Sequence, residues 1–97
     1  MDEDSQDRIE ATGTVVIANL KGLHARPSHM LVTIALDFDC EIEIQCRTLR
    51  ASAKSILEVL TLAASCGESL SIRAVGEGAA AAVLSLVSLV EAGFDEL

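Results

Sequence analysis

The chain reads as an α+β domain, a two-layer sandwich with helices on one face of a sheet and the element order β-α-β-β-α-β-α. Three observations predict this. Cys40, Ile42, Ile44 and Cys46 alternate with Glu41, Glu43 and Gln45, and Leu70, Ile72 and Ala74 alternate with Ser71 and Arg73, the period of two that marks half-buried strands. Leu31, Ile34, Ala35 and Phe38 recur at helical spacing. Ala79 to Ala92 is rich in alanine and leucine, both strong helix formers. At 97 residues, 51% of them hydrophobic and 23% charged, the chain has material for one globular domain.

Taken in order, residues 1–12 are expected to be an acidic flexible tail, and residues 13–97 the folded domain. The β-branched run Val15, Val16 and Ile17 lies between Gly13 and Asn19 and predicts a first strand over Thr14 to Ala18, with Val15 and Ile17 facing inward. Lys21 and Gly22 mark a turn. A helix over Ala25 to Phe38 follows, because Pro27 fits a helix only in its first turn. The alternating strand ends at Cys46, and a weaker one is expected around Leu49 to Ala53. Ser55, with Glu58 three residues later and Val59, Leu60 and Leu62 beyond, has the form of a capping box opening a short second helix. Gly67, Gly76 and Gly78 bound the last strand. The final helix has a thin polar stripe of Ala81, Ser85, Ser88 and Ala92, so some of its apolar surface is available to a partner.

Composition excludes several classes of function. Lys and Arg total 7 against 15 Asp and Glu, a formal charge of −8 that repels phosphate backbones and anionic lipid. Two Phe with no Trp or Tyr leave little on which bases can stack, so no nucleic-acid partner is expected. The most apolar stretch, Ala79 to Val90, is well short of the roughly 20 residues of a membrane span, and no membrane insertion is expected. Cys40, Cys46 and Cys66 show no C-x-x-C spacing and read as reduced thiols filling core space, which places the protein in the cytoplasm. Met1 to Arg8 has neither the basic nor the apolar region of a secretory signal.

The chemistry is expected in Gly22-Leu23-His24-Ala25-Arg26-Pro27-Ser28, where a histidine stands at the entry to the first helix. Free backbone N–H groups and the positive end of the helix favour an anion there. Arg26 adds a forked donor that suits phosphate oxygens. The same positive surroundings disfavour imidazolium and leave a ring lone pair available for attack on phosphorus. No acid stands close in sequence, the nearest being Glu10 and Asp37, and no metal-ligand spacing occurs, so the site suits storage of a phosphoryl group rather than turnover. No cofactor and no metal are expected. A plain cap or surface residue is the competing reading of His24, and residue chemistry alone leaves both standing.

The segment Gly22-Leu-His24-Ala-Arg26-Pro27-Ser28 resembles the active-site signature of the histidine-containing phosphocarrier (HPr) family of the phosphoenolpyruvate-dependent sugar phosphotransferase system. Lys54-Ser55-Ile56-Leu57 resembles that family's regulatory signature, and the separation of His24 and Ser55 fits it as well. The resemblance implies an open-faced sandwich of a four-stranded antiparallel sheet and three helices. It implies a phosphocarrier whose His24 accepts a phosphoryl group at Nδ1 from phosphorylated enzyme I and passes it to an enzyme IIA, with Arg26 as phosphate partner. Such a protein is a substrate of other enzymes and not itself an enzyme. Ile56, Leu57 and Leu60 would form the apolar docking patch, and Ser55 the site of a serine kinase/phosphorylase in bacteria that have one.

The chain departs from the family pattern in places. Glu58 stands where many relatives have glycine, and its carboxylate would repel a phosphoserine while serving as a capping partner, so Ser55 reads equally as a helix cap. Leu57 and Leu60 replace methionines common in relatives. His29 and the two lysines Lys21 and Lys54 read most simply as surface residues. The alternative function is an HPr-like regulatory module, of the nitrogen-type branch or of carbon-catabolite signalling through Ser55, without sugar transport. A further rival is a structural or ligand-binding domain with an incidental histidine.

Overall fold

A computed structural model describes residues 9–96. The expected tail over residues 1–8 lies outside them. The elements are β1 (Glu10–Val16), α1 (Ala25–Ala35), β2 (Glu41–Cys46), β3 (Leu49–Ser52), α2 (Ile56–Thr61), β4 (Ser69–Val75) and α3 (Ala79–Glu91), followed by a short turn over Gly93–Asp95. The strands form one antiparallel sheet in the order β1-β4-β2-β3, with Ile72 paired to Gly13 on one side and Ile44 on the other. The three helices cover one face of it, the expected open-faced sandwich.

The period-two pattern becomes the core. Ile42, Ile44 and Cys46 on β2 and Leu70, Ile72 and Ala74 on β4 are buried, and so are Leu31 of α1, Val59 of α2 and Leu86 of α3. Burying each of the Ile, Leu and Val side chains among them stabilises by about 1.5–3 kcal/mol. Val15 and Ile17 face inward as expected.

Three local expectations need correction. The first strand is Glu10–Val16 rather than Thr14 to Ala18, so residues 10–12, assigned to the tail, are part of the sheet, and Ile17 and Ala18 lie beyond its end. Its inward positions Ala11 and Gly13 are small because α3 packs close above them: a Cβ on Gly13 would stand 2.8 Å from Val83 Cγ1. The first helix ends at Ala35 rather than Phe38, because Asp37 and Phe38 bond to the carbonyls of Ile34 and Ala35, three residues back, which tightens the last turn. Cys40 and Cys46 fill core space, but Cys66 is exposed in the turn before β4 and directs its thiol to the carbonyl of Ala18.

The connection between β1 and α1 carries the candidate site and is laced to the α2–β4 connection. The Leu23 N–H donates to Ala64 O at 2.9 Å, Gly67 N–H to Ile17 O at 2.8 Å, and Ile17 N–H to Glu68 O at 2.9 Å. Gly22 permits this closeness. Its φ is +65°, and a Cβ there would stand 2.3 Å from the Ala64 carbonyl oxygen. At the entry to α2, Ser55 Oγ accepts the Glu58 N–H as the capping box predicts. The return arm differs, since the Glu58 carboxylate takes the N–H of Ser52 at 2.9 Å and Ser55 N–H goes to Ser52 O.

Candidate phosphoryl-accepting site

His24 is the N-cap of α1, in extended backbone with φ −79° and ψ −165°, and its ring makes no capping bond. The N–H groups of Ala25 and Arg26 have no intrahelical acceptor, Pro27 has no N–H, and Ser28 N–H closes the first helical bond on His24 O at 3.1 Å. The helix entry is fixed from inside by buried Ser28, whose Oγ donates to Leu23 O at 3.1 Å. The His24 side chain is left 36% exposed. Together with Ala18, Leu20, Lys21 and Glu96 it lines an open hollow of about 470 Å³.

The ring is held from the far end of the chain. Nε2 lies 3.0 Å from Glu96 Oε2 and 3.2 Å from Oε1, across a sequence separation of 72. The same carboxylate accepts a bond from Asn19 Nδ2 at 3.0 Å and one from an Arg26 guanidinium nitrogen at 3.2 Å. That Arg26 nitrogen also donates to Phe94 O at 3.3 Å. Asn19 is fully buried and donates to Gly22 O at 2.8 Å as well, so one amide ties the turn before His24 to the carboxylate beyond it. Partial burial pushes the Glu96 carboxyl up, but the bonds from His24, Asn19 and Arg26 more than offset this and leave it below the ordinary carboxylate range.

The backbone that delivers Glu96 is strained. Gly93, Phe94 and Asp95 have φ of +65°, +54° and +62°, and a side-chain-bearing residue in that region costs roughly 1–2 kcal/mol. Complete burial of the Phe94 ring offsets the cost.

A carboxylate facing Nε2 fixes the proton on that nitrogen, because a carboxylate can only accept. The lone pair of the neutral ring is then on Nδ1, which makes no hydrogen bond within the described residues. Arg26 engages its partners through one terminal nitrogen, leaving its other donors for an incoming anion.

His24 and Arg26 are thus brought together, through Glu96. The expectation that no acid serves the site holds for sequence neighbours and fails in space. Glu96, Asn19 and the Phe94 carbonyl carry no local signal of this role. On α2, Leu57 is 75% and Leu60 36% exposed, while Ile56 is half-buried. Leu20, 89% exposed on the rim of the His24 hollow, was not singled out by the sequence because a lone apolar residue in a turn has no periodicity. His29 is exposed on α1 and does not line that hollow. Lys54, read as a surface residue, donates its ammonium to Phe38 O. Among the described residues no group of three or more His, Cys, Asp or Glu is placed to hold a metal ion.

Comparison with known proteins gives one family. The family model described as the PTS HPr component phosphorylation site matches residues 11–92. The chain is 37% identical to phosphocarrier protein HPr of Treponema pallidum over 83 residues, covering 86% of this chain and 94% of that protein. It is 40% identical to phosphocarrier protein NPr of Shewanella violacea over 82 residues, covering 84% and 90%. A crystal structure of HPr-C-His from Thermoanaerobacter tengcongensis superposes with a TM-score of 0.86 at 33% identity, covering 90% of this chain and 98% of that one. With the family model spanning all but the first residue of the sheet and all three helices, this chain belongs to the HPr phosphocarrier family.

Proposed function

We propose that this protein carries a phosphoryl group on His24, accepting it at Nδ1 from phosphorylated enzyme I and passing it to an enzyme IIA of the phosphotransferase system. The observation that carries the proposal is the half-exposed ring with Nε2 committed to the Glu96 carboxylate, which leaves Nδ1 as the nucleophilic nitrogen. Nδ1 attacks phosphorus, the donor's bond to phosphorus breaks, and its electron pair returns to the donor. Arg26 and the free N–H groups at the start of α1 are the groups suited to the new negative charge. Ile56, Leu57 and Leu60 serve as the apolar part of a transient docking surface, shared in turn by donor and acceptor. The protein turns nothing over itself and works in the cytoplasm. The described residues contain no helix long and apolar enough to cross a membrane.

Incubation with enzyme I and labelled phosphoenolpyruvate tests the proposal. Label that is lost in acid, as from a phosphoramidate, and is absent from His24→Ala is expected. Label that survives acid, or none from a competent donor, refutes it. The 40% identity to a phosphocarrier named NPr supports a second reading, a nitrogen-type regulatory module without sugar transport. Transfer from the phosphorylated protein to a nitrogen-type enzyme IIA, and not to sugar-specific ones, would select that reading.

A further inference from the structure

We infer that Arg47, together with Glu68, is a positioning residue for phosphoryl transfer: it grips both ends of the connection between α2 and β4 and so sets where His24 stands relative to the docking face of α2. The inference rests on the carrier reading above and adds to it a pair of residues that does not line the His24 hollow. Arg47 stands in the turn between β2 and β3. Its Nη2 donates to Leu62 O at the C-terminal end of α2 at 2.6 Å, and its Nη1 to both carboxylate oxygens of Glu68, at 2.6 and 2.5 Å. One planar guanidinium thus closes the segment from Leu62 to Glu68 into a ring, from a position 15 residues before its first end and 21 before its second. Two residues of this closure are left-handed without being glycine, Arg47 with φ +57° and Ala63 with φ +47°, local strain of the kind that persists where surrounding contacts over-determine the backbone. Within the ring Ser65 N–H donates to Glu68 Oε1 at 2.8 Å, so the carboxylate also fixes its own loop.

The loop closed in this way is the one against which the helix entry is built. Leu23 N–H donates to Ala64 O, Ile17 N–H to Glu68 O and Gly67 N–H to Ile17 O, so the chain leading to His24 takes its place from residues 64–68. Leu23 is the residue immediately before His24. At its other end the loop continues from α2, whose exposed Leu57 and Leu60 meet a partner in the carrier reading. A partner docked on α2 therefore finds the His24 ring at a distance and an angle that the loop determines. Transfer needs Nδ1, phosphorus and the leaving group roughly in line, and a misplacement of about 1 Å can cost on the order of a hundredfold in rate. The pair is partly in solvent, and an ion pair of that kind adds little to overall stability. What Arg47 adds beyond charge is geometry, since its fork holds a helix-terminal carbonyl and a carboxylate in one plane. Its removal should loosen the loop and leave the sheet and helices in place.

The test compares wild type, Arg47→Ala, Arg47→Lys and Glu68→Ala, at a temperature where all are folded, with two phosphoryl donors. Phosphorylated enzyme I must dock. Phosphoramidate is a small donor that needs no docking and gives its phosphoryl group to Nδ1 as ammonia leaves. With enzyme I, Arg47→Ala and Glu68→Ala are expected to lower kcat by about fivefold to twentyfold with little change in KM for this protein. Arg47→Lys should recover part of the loss, because an ammonium is a point charge that cannot hold both ends of the loop. With phosphoramidate all four should react at rates within about twofold of one another, since the ring itself is untouched. Amide hydrogen exchange supplies a readout independent of transfer: Leu23 N–H should exchange about tenfold faster in Arg47→Ala, with the ladder between β2 and β4 unchanged. Unaltered kcat with enzyme I overturns the inference and leaves the carrier reading intact, and so do rates that fall together with both donors, which would mean a disturbed ring rather than a displaced one. A wild type that takes label from phosphoramidate and none from enzyme I overturns the carrier reading and this inference with it.

Discussion

The buried amide of Asn19 holds two segments of chain at once, donating to Gly22 O before the helix and to Glu96 after the last one. Replacing it by Asp, nearly the same shape, removes both donors and turns a carboxylate toward another carboxylate. Asn19→Asp should lose about 3 kcal/mol of stability at pH 7, read as a lower urea midpoint at unchanged slope. Arg26 is mostly exposed and bonds through one terminal nitrogen, so its removal should spare the fold and strike the chemistry. Arg26→Ala is expected to lower the rate of phosphoryl acceptance by about 10–100-fold, the worth of one charge-assisted hydrogen bond, and Arg26→Lys to restore part of it without the fork. His24 and Arg26 were readable in the sequence because helix entry, proline and arginine lie within four positions. Glu96 was not, because a carboxylate 72 residues away acquires its role only when α3 and the turn after it fold back over the helix entry.

At the level of elements, the site depends on how closely the β1–α1 connection approaches the α2–β4 connection. Gly22 and Gly67 both have positive φ, but a Cβ would meet the Ala64 carbonyl at 2.3 Å in the first and nothing within 4 Å in the second. Gly22→Ala should therefore cost about 2–4 kcal/mol, a fall in Tm on the order of 10–25 °C, and Gly67→Ala only the conformational part, about 1 kcal/mol. Equal shifts in thermal unfolding would disprove the close-approach account. The entry to α2 gives a smaller expectation: Ser55→Ala removes the acceptor for Glu58 N–H and should cost about 1 kcal/mol by the same measurement. Elements with a clean period were legible, β2 and β4 within a residue or so, since their large inward side chains carry the signal. The start of β1 was not, because Ala11 and Gly13 are small to admit α3, and small residues at inward positions do not register as a strand. The left-handed turn over Gly93–Asp95 was equally hidden, since two of its three residues bear side chains.

For the whole molecule, two opposing effects govern the response to acid. The formal charge of −8 means that protonating carboxylates relieves general repulsion and favours the compact state. Against this stand carboxylates held below their ordinary value in the folded protein: Glu96, and Glu68, which is lowered chiefly by its bond from Arg47 and then by Ser65 N–H. A carboxyl whose folded value is depressed contributes stability that is present above the unfolded value, near 4.5, and lost as pH falls through the folded one. Salt decides which effect is seen. At 0.15 M the screening length is about 8 Å, which weakens repulsion among scattered surface charges more than contacts such as Nε2 to Glu96 at 3.0 Å. Urea unfolding at that ionic strength should give a midpoint that is nearly flat from pH 7 to about 5 and falls steadily below about 4.5. Glu68→Gln, which replaces the Arg47 pair, should flatten the fall and lower the plateau above it. A midpoint that rises between pH 5 and 3.5 would mean instead that relief of net charge outweighs the loss of these pairs. The acid limb would then belong to the surface as a whole and not to the paired carboxylates Glu68 and Glu96.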